Sequence, residues 1–203
     1  MGTASRTPGR YRAAVPTPTP RPEPRPAPAD ELVDVVDAQD RVERVVTRAE
    51  MRRDRLRHRC TFVVVRSSHG EVLVHRRADT KDLWPGRWDL ACGGVVTSGE
   101  DWEPAARREL AEELGVTGVE LVELARGAYA DAHVDEVARA WQVTHDGPFE
   151  FTDDEVVEAR FVDLPTLATM VVERSFVPDS LALLGPVLMG LATGGGSGQT
   201  VGR

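Results

Sequence analysis

Residues 94–116 read GVVTSGEDWEPAARRELAEELGV, and the periodicity inside this stretch decides how the rest of the chain is understood. Asp101 is a helix N-cap, Pro104 falls in the first turn, where the backbone N–H groups have no partner to lose, and Gly115 suits the left-handed position just past a C-terminus. The spacing therefore predicts a helix over 102–114. Within it Glu109, Glu112 and Glu113 are three and four residues apart, so their carboxylates fall within about 100° of arc on one face. Charges packed this closely repel each other and weaken an isolated helix. A bound cation reverses that sign, and Mg²⁺, which takes oxygen ligands and keeps part of its water shell, suits such a set. Ala106, Leu110 and Leu114 pin the adjacent face to the core, which holds the carboxylates at a fixed rim.

The flanking residues have tasks of their own. Gly93 and Gly94 predict a tight backbone turn before the helix. Arg108 can pair with Glu112 one turn on, or with Glu100, orienting ligands without binding metal. Upstream, Arg76-Arg77-x3-Lys81-x2-Trp84-Pro85-Gly86-x-Trp88-x3-Cys92-Gly93 sets three cations ahead of the acidic helix in the sequence. Trp84 and Trp88 read as packing residues of this turn, Cys92 as a small residue packed beside the glycines, and Cys60, in an apolar run, as core.

Farther out, strands are expected at Leu32–Val36 and Arg41–Val46. Thr47-Arg48-Ala49-Glu50 forms a capping box that starts a short helix. Cys60–Arg66 and Glu71–His75 read as a hairpin, followed by a loop at Leu83–Arg87. Beyond the acidic helix come strands near Leu121–Tyr129, Val137–His145 and Ala159–Val162, then helices at Pro165–Arg174 and Ser180–Leu191, the last kinked at Pro186. This order implies an α/β (α+β) fold, a mixed sheet sandwiched between helices in a single domain over 30–191. Residues 1–29, with alternate prolines from Pro16 to Pro28, read as a disordered tail, and 192–203 as a flexible glycine-rich one.

The chain has 203 residues and a formal net charge of -8, a balance that speaks against stable nucleic-acid binding and leaves small anions bound through a local cationic patch or a metal. Two cysteines without metal-ligand spacing suggest neither a disulfide framework nor a zinc site and fit a reducing cytoplasm. No apolar run approaches the roughly 18–20 residues that span a bilayer. Oligomeric state is not specified.

The pattern Gly94-x5-Glu100-x7-Arg108-Glu109-Leu110-x-Glu112-Glu113-x-Gly115-Val116 resembles the signature of the Nudix hydrolases at every specified position. At ordinary residue frequencies a chance match in a chain of this length is about one in 10⁵. The resemblance implies a Nudix-like fold and Mg²⁺-dependent, or Mn²⁺-dependent, cleavage of a diphosphate linkage in a nucleoside-diphosphate-X or related small molecule. It implies metal ligands at Glu109, Glu112, Glu113 and the Gly93 carbonyl, Glu112 as general base with Glu113 and Arg108 beside it, and a loop carboxylate at Glu155 as a further candidate base. The segment from Arg76 to Gly93 is similar to isopentenyl-diphosphate isomerases, which would use Arg77 and Lys81 for the diphosphate and Cys92 for proton transfer. Gly94 and Met51 stand where those enzymes carry metal-binding histidines; of that set His58 alone is present, and the hydrolase glutamates are complete. Isomerisation and a non-catalytic ligand-sensing module are the alternatives.

Overall fold

Along β3 (His58–Arg66) the side chains alternate between two cores. Cys60, Phe62 and Val64 enter one, while Val63 and Val65 enter the other. A strand buried on both faces reads as a continuous apolar run and must lie inside a sheet covered on both sides. The computed structural model describes residues 28–151 and 156–190, and β3 is the centre of its sheet. One edge of β3 pairs in parallel with β8 (Asp135–Thr144) over the whole strand, and the other pairs antiparallel with β6 (Cys92–Val95). β7 (Val122–Ala130) lies outside β8. The hairpin of β1 (Leu32–Val36) and β2 (Val42–Thr47) touches the start of β3 through Val35 and His58.

The expected hairpin between β3 and β4 (Val72–Arg77) is present but short. Its turn is present, with Gly70 N donating to Ser67 O at 2.9 Å, yet the two strands share the pair Arg66–Val72 and then diverge. The edges of β3 are already taken by β6 and β8, so β4 pairs with β9 (Val156–Val162) and with the short β5 (Trp88–Asp89).

α2 (Trp102–Leu114) covers one face through Ala106, Leu110 and Leu114. The opposite face is covered by α3 (Leu164–Glu173) and α4 (Pro178–Leu188), which contribute Leu167, Met170, Leu184 and Leu188. This is the mixed sheet between helices that the order of elements implied. α1 (Arg48–Asp54) begins as the capping box requires, with Glu50 N donating to Thr47 Oγ1 at 3.2 Å. It buries Met51 against Val33, Val35, Val46 and Val95. α4 ends at Leu188, short of the expected bound; Leu191 and both expected tails, apart from Pro28 and Ala29, lie outside the described residues.

Candidate active site

α2 carries its carboxylates to the wall of a cavity because Leu110 and Leu114, each 1% exposed, fix its rotation. Gly115 ends the helix at φ 68°, its N–H donating to the carbonyls of Ala111 and Leu110. Asp101 caps by its extended backbone, without a side-chain hydrogen bond. Arg108 joins the acids. Its guanidinium donates to Glu100 Oε2 at 2.9 Å, to Glu109 Oε1 at 2.7 Å, to Glu112 Oε2 at 3.4 Å, and to the Val95 carbonyl at 3.3 Å. Burial works against the Arg108 charge, but hydrogen bonds and charge attraction from Glu100 and Glu109 outweigh it and hold the guanidinium above its ordinary pKa. Burial pushes the Glu109 carboxyl upward, with Arg108 opposing.

The glycines before the helix are not in a tight turn. They lie in β6, and what they provide is close approach. A Cβ on Gly93, whose φ is 154°, would stand 1.9 Å from the Thr61 carbonyl oxygen. A Cβ on Gly94 would stand 2.8 Å from Glu109 Oε1. Gly94 is thus a cradle for the Glu109 carboxylate. The strand was missed because glycine has little strand propensity of its own; pairing with β3 imposes the extended backbone.

A cavity of about 1000 Å³ opens beside α2, and Glu109, Glu112, Glu113, Gly93 and Arg108 line it together with Arg77 and Lys81. Arg77 Nη2 donates to the Leu83 carbonyl at 3.2 Å, and Nη1 lies 3.8 Å from Asp89 Oδ2. Among the described residues, no three His, Cys, Asp or Glu side chains are already gathered closely enough to hold a metal ion. The donors nonetheless suit a hard divalent cation: they are carboxylate oxygens and a backbone carbonyl, and the space that a side chain at 94 would fill is kept open beside Glu109. Glu155 lies outside the described residues.

Among the lining residues that escaped the reading of the sequence are Arg48 and Arg52 from α1, Glu136 from β8 and Asp179 from α4. The two arginines had a signal, being one helical turn apart after the capping box. Arg48 pairs with Glu31 at 2.8 Å. The other two looked like solvated charges at the ends of elements.

Residues that bear on isomerase chemistry pack instead. Cys92 belongs to the core beneath α2, and its thiol donates to the Val63 carbonyl at 3.6 Å. Burial pushes both thiols well above their usual range. Cys60 is buried too, at the cavity wall. His58 is buried at the start of β3 with Nδ1 2.9 Å from the Leu56 carbonyl, and burial pushes its pKa down to about 4. Trp88 packs in the core under Arg160, whereas Trp84 lines the cavity edge-on to His133.

Comparison with known proteins gives one family. The NUDIX domain profile matches residues 56–179. An uncharacterized Nudix hydrolase of Yersinia pestis is 40% identical over 159 residues, covering 76% of this chain and 84% of its own. The uncharacterized Nudix hydrolase YfcD of Escherichia coli is 37% identical over 154 residues, with 76% and 84% covered. Among solved structures, a Deinococcus radiodurans protein aligns with a TM-score of 0.63 at 25% identity, over 73% of this chain and 94% of that one. The NUDIX domain of Shewanella oneidensis NrtR, crystallised with ADP ribose, aligns with a TM-score of 0.51 at 18% identity, over 68% and 94%. No helix among the described residues is long and apolar enough to cross a membrane.

Proposed function

The chain belongs to the Nudix hydrolase family and is a hydrolase, and from that premise we propose that its cavity binds a small organic diphosphate, a nucleoside-diphosphate-X or a relative of it, and splits the diphosphate linkage with water. The observation that carries this reading is the sharing of the cavity: the glutamates of α2 and the cations Arg77 and Lys81, distant in sequence, line the same space. Arg77 and Lys81, with Arg48 and Arg52 now beside them, take the phosphate oxygens through charge-assisted hydrogen bonds. Glu109, Glu112, Glu113 and the Gly93 carbonyl would hold Mg²⁺, or Mn²⁺ in its place. When bound, the metal polarises the phosphoryl oxygens and lowers the pKa of the attacking water. Glu112 accepts the proton as the water oxygen bonds to phosphorus, and the bridging oxygen leaves with the electron pair of the broken P–O bond. Glu155 is a second candidate for the proton. Arg108 is a positioning residue that fixes Glu109 and Glu112 relative to Glu100.

The likeness of the Arg76 to Gly93 segment to isopentenyl-diphosphate isomerases is, on this reading, a likeness in holding diphosphate. An acid at Cys92 is poorly served by a buried thiol turned to the Val63 carbonyl. Two unpaired, buried cysteines are in keeping with a reducing, cytoplasmic setting.

Replacing Glu113 with Gln tests the proposal. Mg²⁺-dependent release of phosphate-bearing products should fall by about 10²-fold or more while the circular dichroism spectrum is unchanged. Undiminished turnover would refute it. Tight binding of diphosphates without turnover by the wild-type protein, at any divalent metal, would favour a ligand-sensing role. Conversion of isopentenyl diphosphate to its dimethylallyl isomer, lost in Cys92→Ala, would favour isomerisation.

A further inference from the structure

The wall formed by β8 and the start of α4 holds a polar group for which the hydrolytic reading has no use. Glu136 is 2% exposed, lines the cavity, and its Oε1 has no hydrogen-bond partner. Its place follows from strand register. It pairs with His58 in the parallel ladder and stands on the same face as Ala138 and Ala140, the face that shares a core with Cys60 and Phe62. Cys60 lines the same cavity, and Glu136 Oε1 is buried there with no partner among the described residues.

Asp179, in the first turn of α4, is the second acid there. Its carboxyl accepts from Ser180 N at 2.6 Å and is buried. The Asp179 charge acts on Glu136. Burial first, and the Asp179 charge second, push Glu136 up to about 8; burial and the Asp89 charge push Asp179 up to about 6. Arg52 offers partial relief of charge to Glu136. Phe62, Val177 and Trp84 add apolar and aromatic surface to the same cavity, with Asp89 and Arg77 also on its lining.

A buried carboxyl oxygen without a partner destabilises the free protein, and its retention in a cavity points to a ligand that supplies the missing bond. A second phosphate is disfavoured by Asp179. Each acid accepts a hydrogen from nitrogen in either state: a carboxylate offers only acceptors, and a carboxylic acid keeps its carbonyl oxygen as an acceptor beside its one O–H donor.

We propose that Glu136, with Asp179 beside it, receives a nitrogen hydrogen-bond donor on the group attached to the diphosphate, an amino group carried by a base or by an alkyl chain, and so selects amino-bearing diphosphates over their oxo or apolar counterparts. The reading rests on the hydrolytic one for the diphosphate end of the substrate.

Two matched pairs test it on the full chain with Mg²⁺. ADP-ribose and IDP-ribose differ at the amino group of the base; the uridine diphosphate esters of ethanolamine and of propanol differ at the end of an alkyl chain. At least one pair should show a tenfold or greater preference in kcat/KM for the amino member, and the pair that does identifies the source of the nitrogen. In Glu136→Leu that ratio should shrink to within twofold. In Glu136→Gln, whose amide carbonyl still accepts, it should keep part of its size, and this variant carries the test should the leucine variant fail to fold. Ratios near one in both pairs, or a ratio that survives loss of the carboxyl in Glu136→Leu, would overturn the proposal. Calorimetric binding of methylene-bridged analogues, which cannot be cleaved, separates the two readings. Amino preference in binding without turnover of the parent compounds sinks hydrolysis and leaves the recognition standing. Turnover without preference sinks the recognition and leaves hydrolysis, and neither binding nor turnover sinks both.

Discussion

The cavity has two differently made walls. The glutamate rim comes from one helix and the strand before it, and one residue ties its carboxylates together locally: Arg108 reaches Glu100, Glu109 and Glu112 within 3.4 Å. The wall around Glu136 is assembled from α1, β3, β8 and α4, and its polar groups are incompletely matched. Glu136 Oε1 and Arg52 Nε are both buried without partners. Local pairing suits a site that handles what every substrate shares, a diphosphate with its cation. Incomplete pairing suits a site that must distinguish one substrate from another, because a wrong ligand leaves buried polar groups unpaired and is rejected for that reason.

The first way to sharpen this contrast is at the rim, where a single methyl should act on chemistry alone. In Gly94→Ala the new Cβ would lie 2.8 Å from Glu109 Oε1, the movable end of a side chain, so the carboxylate should shift and the fold should hold. The expectation is a loss of about 10- to 100-fold in apparent Mg²⁺ affinity, read from metal titration of activity and of metal binding. Gly93→Ala is the control. There the Cβ would meet backbone, the Thr61 carbonyl oxygen at 1.9 Å, and Tm should fall by about 10 °C or more. Equal effects of the two substitutions on Tm would mean that the rim and the sheet are not separable.

A smaller effect is expected where the walls meet. Arg77 lies 3.8 Å from Asp89, whose charge presses on Asp179, and it also lines the space that the glutamates share. If it holds substrate phosphate equally in the ground and transition states, Arg77→Ala should raise KM about tenfold with kcat little changed. A fall in kcat with KM unchanged would instead assign Arg77 to the transition state and weaken the division of labour between the walls.

The same contrast explains what was legible in the sequence. The rim depends on helical periodicity, so its three glutamates, Arg108 and the glycine at 115 could be placed from spacing alone. The strand β6 could not, because Cys92, Gly93, Gly94 and Val95 have no strong preference of their own and become extended by pairing with β3. The divergence of β3 and β4 was hidden for a related reason: the Ser67 to Gly70 turn is local, whereas the competing partners β8 and β9 arrive much later in the chain. Glu136 in Asp135-Glu136-Val137 looks like a solvated strand start. Its burial depends on the placement of α4, which carries Asp179 more than forty positions away.

The smallest effect concerns stability, and it probes the inner wall without substrate. The folded-state pKa of Glu136 is raised from 4.5 to about 8, chiefly by burial. The folded protein therefore holds this proton more tightly than the unfolded chain does. Its contribution to stability is fully present below pH 4.5 and is lost as pH rises through about 8. Asp179, raised from 3.8 to about 6, adds a slope of the same sign over its lower window. His58, pushed down to about 4, acts oppositely, favouring the unfolded state as pH falls. Comparing wild type with Glu136→Gln at each pH cancels most of what the other groups contribute, since Gln keeps the shape and cannot ionise. The Tm of the variant relative to wild type should rise steadily from pH 5 to pH 8.5, by about 3 °C or more in total. A difference that stays flat across this range would mean that Glu136 ionises as freely in the folded protein as in the unfolded one. The inner wall would then be wet and its carboxyl already satisfied by solvent, and the contrast between a locally tied rim and an unmatched interior would fail.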